Sequence, residues 1–504
     1  MFVNDANGGF TRSRGALPDV PLTRDQTTVL ACPQTSGLPS VLVGSANYED
    51  GLPTGASVLK CDPTAGTTQE AVPGVPESVG PLALGDLDGD GNLDLFVGGQ
   101  VMPGKYPEAV NSRIFRHRDG KFALDTANTK LLENVGLVSG AKIFRNDHGR
   151  LVPWNPPVES INHQPSTLNQ LTGWWNGITT GDLDGDGRLD IIASNWGQNS
   201  KYQSHRAAPL RLYFSDFNGE GVLELLEAYF EPGMGEYVPE RRLEAVAEAM
   251  PFLRGRFSTH QAFANVGVEE ILRDRVPKAN YLEANCLESC VFLNRGDKLE
   301  ARALPAEAQF APAFAVVVAD YDGDGYEDVF LSQNFFAEGP ETSRCDAGRG
   351  LWLRGDGRGA LRAVPGPESG VLVYGEQRGA AVADFDRDGR VDLIVTQNAA
   401  ETRLFRNLRA KPGLRVRLKG PPGNPFGYGA QMRLKHGEHF GPVREVHGGG
   451  GYWSQDSPAQ VLARTDSPVQ VWIRWPGGKA FTVDVPPESA EVQIVIDGEI
   501  TRVK

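Results

Sequence analysis

Aspartates recur at one fixed spacing in four short stretches of the chain. The stretches read GDLDGDGNLDLFVGG (85–99), GDLDGDGRLDIIAS (181–194), ADYDGDGYEDVFLS (319–332) and ADFDRDGRVDLIVT (383–396). Counted from its first aspartate, each nine-residue loop has carboxylates at positions 1, 3, 5 and 9 and a glycine at position 6. We name them loops 86, 182, 320 and 384 after that first aspartate. Because so many like charges repel one another, the spacing predicts a bound cation.

The ligand chemistry of the four loops favours calcium. Calcium takes six to eight oxygen ligands in a flexible loop, whereas magnesium demands stricter geometry. No histidine or cysteine joins the clusters, so zinc and copper are disfavoured. The predicted ligands are the carboxylates of Asp86, Asp88, Asp90, Asp94, Asp182, Asp184, Asp186, Asp190, Asp320, Asp322, Asp324, Asp328, Asp384, Asp386, Asp388 and Asp392, with the position-7 backbone carbonyls of Asn92, Arg188, Tyr326 and Arg390.

A degenerate fifth copy, SDFNGEGVLELLEAYF (215–230), forms loop 216. It offers Asp216, Asn218, Glu220 and Glu224, and the substitutions leave open whether it binds a metal or is a metal-free turn. In the intact loops, Arg387 at position 4 and Glu327 at position 8 are expected to point to solvent.

An EF-hand shares positions 1, 3, 5 and 7 with these loops but also requires a bidentate glutamate at position 12 and flanking helices. Position 12 lies within β-rich runs and is Val97, Ala193, Leu331 or Val395. The EF-hand is therefore excluded.

The elements around the loops are predicted to be strands. A short apolar strand precedes each loop, another follows it, and hairpin patterns with D-G, N-D or G-G turns occur downstream. These patterns are MFVNDANGGF (1–10), IFRHRDGKF (114–122), IFRNDHGRL (143–151), VFLNRGDKL (291–299), LWLRGDGRGAL (351–361) and LFRNL (404–408). Such four-stranded units in series predict an all-β protein with a β-propeller of about seven blades over residues 1–410. The strand in 39–47 is interpreted as a blade that has lost its acidic loop.

Residues 238–277 break the strand pattern and predict a helical insertion between blades. Leu243, Val246, Ala247 and Met250 share one face at helical spacing. Ser258 followed by Gln261 resembles a capping box for a second helix.

Charge and composition limit the classes of function. A net charge of −14 argues against a nucleic-acid partner. Residues 411–504 carry 12 basic and 9 acidic side chains against 38 and 55 in the first 410, which predicts a separate β-rich C-terminal domain over 411–504. No apolar run is long enough for a membrane span. Cys286 and Cys290 are predicted either to form one disulfide or to be two ordinary buried thiols.

On these loops and hairpins the chain resembles the FG-GAP/VCBS repeat proteins, which share the integrin α-subunit propeller, over most of residues 30–410. LFVGGQVMPGKYPEAVNSRIFR (95–116) and GWWNGITTGDLDGDGRLDIIASNWGQNSKY (173–202) also match. The resemblance implies a calcium-stabilised seven-bladed propeller in a protein that is usually exported and often involved in surface binding. The calcium ligands that it implies are the aspartates named above.

The C-terminal domain resembles the ASPIC/UnbV module that follows such propellers in bacterial proteins and in cartilage acidic protein. The matching stretches are RVRLKGPPGNPFGYGAQMRL (415–434), VREVHGGGGYWSQDSP (443–458) and VQVWIRWPGGK (469–479). This module has no agreed activity, so the resemblance implies architecture more than function.

Three further patterns contain residue types that occur in active sites. His436 and His439, three apart in a strand-rich region, are expected to point to opposite faces and not to share a metal. His447, Ser454 and Asp456 contain the residue types of a hydrolase triad without a G-x-S-x-G elbow, so a glycine-rich turn is favoured. Trp174 and Trp175 are interpreted as packing residues, with sugar stacking as the alternative.

The sequence therefore predicts a calcium-binding, non-enzymatic platform for binding or adhesion, with an unknown protein or glycan as its ligand and a location at or outside the cell surface. The alternative is an enzyme with its site at the propeller mouth or the domain junction. MFVNDANGGF shows no signal-peptide pattern, which leaves a cytoplasmic location open.

Overall fold

A computed structural model describes residues 2–5, 9–12, 23–34, 37–135, 142–160, 166–202, 208–337, 339, 342–464 and 469–504. Over these residues the chain is all-β, as predicted, and its few helices are short. None of the helices in these ranges is long and apolar enough to cross a membrane.

Six sheets, numbered I to VI, occupy residues 26–405. Sheet I contains Gln26–Cys32, Ser40–Ser45, Val58–Asp62 and Thr67–Val72, and sheet II contains Ser78–Gly85, Asp94–Val101, Arg113–Arg118 and Lys121–Leu124. Sheet III contains Ile178–Gly181, Asp190–Ala193, Cys290–Asn294 and Leu299–Ala303, with Pro157–Ser160 and Ser166–Thr167 at its edge, and sheet IV contains Leu210–Ser215, Glu224–Glu231, Glu236–Pro239 and Asn280–Ala284. Sheet V contains Ala313–Ala319, Asp328–Gln333, Leu351–Gly355 and Leu361–Ala363, and sheet VI contains Gln377–Ala383, Asp392–Gln397 and Arg403–Phe405.

Five of the predicted hairpin patterns pair as hairpins, and LFRNL contributes a single strand to sheet VI. Two of these hairpins stand apart from the six sheets: Phe2–Asn4 with Phe10–Arg12, and Ile143–Asp147 with Arg150–Trp154. Residues 1 and 6–8 of the first pattern lie outside the described residues.

Sheet IV lies in the chain between the second and third strands of sheet III. The predicted helical insertion is confirmed as helical, but it lies inside sheet IV, between its third and fourth strands, rather than between two units. Its helices are Leu243–Ala249, His260–Ala264 and Val268–Leu272, with 3-10 turns at Pro251–Leu253 and Arg273–Lys278. Elsewhere helices span Thr126–Lys130 and Gly366–Ser369, and 3-10 turns span Leu168–Gln170 and Ala306–Gln309.

The predicted apolar face of the insertion is buried, since Val246, Ala247 and Met250 are at most 4% exposed. The predicted cap is wrong by one residue. The hydroxyl of Thr259, not that of Ser258, accepts a hydrogen bond from the Ala262 N–H at 3.1 Å.

The C-terminal region adds sheets VII and VIII. Sheet VII contains Leu414–Lys419, Gln460–Leu462, Glu491–Val495 and Ile500–Arg502, and sheet VIII contains Gln431–His436, His439–Phe440, Arg444–Glu445, Gln470–Arg474 and Ala480–Asp484. One continuous apolar cluster runs from sheets I and II into both, with Leu42, Leu95, Val416 and Ile473 fully buried.

Residues 447–458, which we call the central segment, contact the first strand of sheets I, II, III, V and VI. Four hydrogen bonds and one ring contact carry this: Leu84 N–H to Gly448 O at 2.8 Å, Ile178 N–H to Gly451 O at 3.2 Å, Ala31 N–H to the Gln455 side chain at 2.7 Å, Val382 N–H to the Asp456 carboxylate at 2.9 Å, and Tyr452 edge-on to Phe314 at 5.3 Å. The segment turns back on itself where Gly450 N–H donates to Ser454 O at 3.0 Å, consistent with a glycine-rich turn.

Candidate metal centres

The four acidic loops are hairpin connections with one common register. Position 9 is the first residue of the outgoing strand and pairs with the last residue of the incoming one: Gly85 with Asp94, Gly181 with Asp190, Ala319 with Asp328 and Ala383 with Asp392. Each position-9 carboxylate is at most 3% exposed because it opens a buried apolar strand.

Backbone N–H groups hold the carboxylates at both ends of each loop. The glycine at position 6 donates to the position-1 carboxylate at 2.9–3.1 Å. The residue at position 2 donates to the position-9 carboxylate at 2.9–3.2 Å. The other oxygen at position 9 accepts from a backbone N–H of the third strand of the sheet or, in loop 384, from Asn407, two residues after that strand, at 2.8–3.0 Å.

The structure brings three carboxylates of each loop together, with ligand oxygens within 4.8 Å of one another. The groups are Asp86, Asp88 and Asp90; Asp182, Asp184 and Asp190; Asp320, Asp322 and Asp328; and Asp384, Asp386 and Asp392. At position 5, Asp90, Asp186, Asp324 and Asp388 also accept from the N–H of position 7 at 2.8–3.0 Å. These clusters could hold a metal ion, and the position-7 carbonyls stay predicted ligands.

Burial disfavours the ionised form of several of the loop carboxylates. Burial raises the pKa of Asp86 to about 6, of Asp190 and Asp392 to about 7, and of Asp328 to about 8. Neighbouring aspartates in the same loop add to each rise. A cation among the oxygens would oppose both effects by favouring the ionised form.

Sequence reasoning missed an arginine that faces each cluster. The third-strand region of the sheet brings a guanidinium to position 3, as in Arg354 with Asp322 at 2.7 Å and Arg116 with Asp88 at 3.5 Å. Arg295 and Arg406 pair in the same way with Asp184 and Asp386. The signal was present in the hairpin patterns IFR, FLNR, LWLR and LFR. In loops 182 and 384 the side chains of Arg188 and Arg390 also pair with position 5, and even together the arginines offset only part of the charge of the four aspartates.

The donor set fits a hard cation. Every clustered ligand atom is a carboxylate oxygen, as calcium prefers. Asp182 is 1% exposed, and its Oδ1 has no hydrogen-bond partner although its Oδ2 has two. A buried carboxylate oxygen without a partner is costly unless a cation or a donor satisfies it.

Loop 216 keeps the turn but does not gather a cluster. Gly221 N–H donates to Asp216 at 2.9 Å and Phe217 N–H donates to Glu224 at 2.6 Å, in the same places as in the other loops. The hydrogen bond from Gly221 lowers the pKa of Asp216. Among the described residues, this loop is not one of the groups that could hold a metal.

Arg387 and Glu327, which were both expected to point to solvent, behave differently. Arg387 is exposed, as predicted, and has a positive φ of 57°. The prediction for Glu327 is wrong, because this side chain is 1% exposed and pairs with Arg444 Nε at 2.5 Å. The partner lies 117 residues away along the chain, so no pattern within the loop indicated it.

The histidine pattern is folded differently from the expectation. His436 and His439 are direct partners across a tight hairpin, so their side chains share a face instead of pointing apart. Neither belongs to a metal-holding group within the described ranges.

His447, Ser454 and Asp456 have separate hydrogen-bond partners, although His447 is attracted to Asp456 and lowers the pKa of its carboxyl group against the effect of burial. His447 Nε2 lies 3.0 Å from Thr180 Oγ1, and Ser454 Oγ lies 3.3 Å from Gly450 O. The Asp456 carboxylate accepts from Val382 N–H at 2.9 Å. These contacts anchor the central segment.

Trp174 and Trp175 are half-buried packing residues in this structure. Trp174 packs edge-on against Trp196 at 5.3 Å, and Trp175 donates from Nε1 to Leu171 O at 3.2 Å. Cys286 and Cys290 are free thiols, and a hydrogen bond with Cys286 together with burial raises the pKa of Cys290.

Comparisons with known proteins assign the C-terminal part of the chain. The family described as ASPIC and UnbV matches residues 420–499, so the C-terminus carries an ASPIC/UnbV domain. Cartilage acidic protein 1 of Xenopus tropicalis is 30% identical over 196 residues, 37% of this chain and 29% of that protein. The Homo sapiens protein of the same name is 26% identical over 205 residues, 39% of this chain and 29% of its own length. The chain thus spans about three tenths of the length of these distant relatives.

Two solved structures, the rhamnogalacturonan lyases YesW and YesX, cover 91% and 94% of this chain and 71% and 76% of their own. Both are 12% identical to it, with TM-scores of 0.23. A TM-score at this level supports no statement about fold or function.

Proposed function

We propose that this chain is a calcium-binding, non-enzymatic binding platform. Residues 1–410 form an FG-GAP/VCBS-type β-propeller, and residues 411–504 form the domain that contains the ASPIC/UnbV match. Calcium in loops 86, 182, 320 and 384 stabilises the propeller, with the predicted aspartates and position-7 carbonyls as ligands.

The contrast between loop 216 and the other four loops carries the metal assignment. Loop 216 makes the same turn with Asn218 and Glu220 at positions 3 and 5 and gathers no carboxylate cluster. The turn itself therefore does not require aspartates at these positions. In the other loops these aspartates add negative charge next to the buried carboxylate at position 9, and a divalent cation offsets the repulsion.

The propeller is supported by five sheets whose first strands all contact the central segment. A propeller arranges four-stranded sheets around a central axis. Of these five sheets, I, II and V have four strands, III has six and VI has three. The described residues supply these five, and the count of about seven blades stays a prediction.

Aromatic side chains support binding at the face opposite the loops. Trp196 and Phe335 follow strands that begin in loops 182 and 320, and their rings lie 5.1 Å apart. Tyr452 and Trp453 stack at 4.8 Å in the turn of the central segment, where Trp453 has a positive φ of 52°. Half-buried aromatic rings are enriched at recognition surfaces, and a bulky residue in this strained conformation often marks a functional position.

The location is proposed from the relatives. Their name connects them with cartilage, an extracellular tissue. We place this chain at the cell surface or outside the cell, where the calcium concentration is high enough to saturate weak sites.

Metal content and thermal unfolding test the proposal together. Purified protein should contain about four calcium ions, and EDTA should lower the unfolding temperature reversibly. A site saturated a hundredfold above its Kd contributes about 2.7 kcal/mol, so the shift should be large. Asp322→Asn should remove one ion, whereas the matched Asp216→Asn should remove none. A protein that binds no calcium and whose unfolding temperature does not change in EDTA would contradict the proposal.

A further inference from the structure

Two of the acidic loops form hydrogen bonds with the region after residue 410. At loop 182, Val443 N–H donates to Asp182 Oδ2 at 2.8 Å. At loop 384, Gly413 N–H donates to Gly389 O at 2.8 Å. Both bonds end on groups that the loop conformation positions: the position-1 carboxylate and the position-6 carbonyl.

The other two loops pack against the same region through their backbones. A Cβ added to Gly89 in loop 86 would lie 2.9 Å from the Cα of Gly477. A Cβ added to Gly323 in loop 320 would lie 2.7 Å from the carbonyl oxygen of Lys411. The backbones of both loops therefore lie in direct contact with the backbone of the C-terminal region.

Three loops also face an arginine from this region. Arg415 Nε lies 3.4 Å from Asp384 Oδ2, and both side chains are at least 89% buried. Arg433 lies beside Gly187 and is attracted to Asp182. Arg444, besides its pair with Glu327, is attracted to Asp320. The C-terminal region thus meets the loops with backbone donors and with cations.

We infer that metal binding in the four loops controls docking of the C-terminal domain, so that calcium latches residues 411–504 onto the propeller. This inference rests on the proposed calcium sites. The contacts depend on the shape of each loop, and that shape holds four mutually repelling carboxylates. Without a cation the repulsion opens the loops, and the contacts with Val443, Gly413, Gly477 and Lys411 weaken together.

Loop 216 provides an internal control for this coupling. Its Asn218 donates to Ala249 O at 2.8 Å and its Phe217 carbonyl accepts from Arg275 at 3.1 Å, so it packs on the helical insertion. Gly219 and Gly221 face open space. Changes in loop 216 should therefore leave the C-terminal domain in place.

Hydrogen exchange of the full chain, followed by mass spectrometry, tests the coupling well below the unfolding temperature. With calcium, peptides covering 411–415, 442–445 and 476–478 should be protected. EDTA should speed their exchange at least tenfold, and added calcium should restore protection. The amide of Val443 is a direct probe, because its hydrogen bond ends on the loop carboxylate.

Matched variants assign the effect to the loops. Asp182→Asn should speed exchange of 442–445 in the presence of calcium, whereas Asp216→Asn should not. Arg433→Gln changes only the C-terminal side, so it should speed exchange of 442–445 at an unchanged calcium stoichiometry. If the protein binds calcium and EDTA leaves these peptides protected, the latch is wrong and the proposed function stands. If it binds no calcium, the proposed function fails and the latch fails with it.

Discussion

Replacing Glu327 with alanine removes one half of a buried ion pair between loop 320 and the C-terminal domain. Glu327 is 1% exposed, and the side chain of Arg444 is 10% exposed. Their Nε and Oε1 atoms lie 2.5 Å apart, and Arg444 also donates to Val461 O. Burial raises the pKa of the Glu327 carboxyl, and Arg444 opposes the rise. The variant leaves a buried guanidinium without its main partner.

The unpaired charge of Arg444 determines how much free energy of unfolding the variant is expected to lose. Removing one partner of a buried pair costs about 3–5 kcal/mol. Because Arg444 is also attracted to Asp320, we expect the lower end, about 3 kcal/mol. Taken as one cooperative unit, a chain of 504 residues has an unfolding entropy of about 1.1 kcal/mol/K, so the unfolding temperature should fall by about 3 °C.

Calorimetry with saturating calcium measures this shift. Glu438→Ala, in the exposed turn between His436 and His439, is the matched control and should cost less than about 0.5 kcal/mol. The double variant Glu327→Leu with Arg444→Met should recover part of the loss, because it removes both charges of the pair while Asp320 loses the attraction of Arg444. A fall below about 1 °C in Glu327→Ala, or a double variant no more stable than the single one, would refute this account of the pair.

Three further outcomes are expected. Gly448→Ala should cost about 1–3 kcal/mol in chemical unfolding, because its Cβ would collide with the Leu84 carbonyl, and Gly450→Ala, in the same segment but with space around it, should cost clearly less; equal losses would contradict the packing. Arg387→Gly should stabilise by about 0.5–1 kcal/mol, since φ there is +57°, and a loss measured in the same assay would contradict this. In EDTA, stability should fall as pH rises from about 4 to 8, because the raised pKa values of Asp190 and Asp392 (about 7) and Asp328 (about 8) mean that the folded state keeps protons that the unfolded state has lost. Calcium should flatten this trend. Unfolding temperatures measured over a pH series check it, and a rise in stability over this window would contradict these pKa values.

Local features of the fold and of the candidate site were readable from the sequence. The hairpins, the loop glycine at position 6 and the exclusion of an EF-hand each depend on residues within about a dozen positions. Turn conformation and strand alternation arise from such short-range sterics and hydrogen bonds. The oxygen-only donor set followed from residue type, and the helical character of the insertion followed from the spacing of its apolar residues.

The tertiary structure decided what each loop faces. Glu327 is buried because Arg444 reaches it from 117 residues away, and Asp88 and Asp322 meet arginines of a third strand. Likewise, the strands of sheet IV lie in the chain between the second and third strands of sheet III, and no short sequence repeat indicates this order. Burial and ion pairing depend on which distant surfaces pack together, and packing is chosen by the free energy of the whole chain rather than by any short stretch of it.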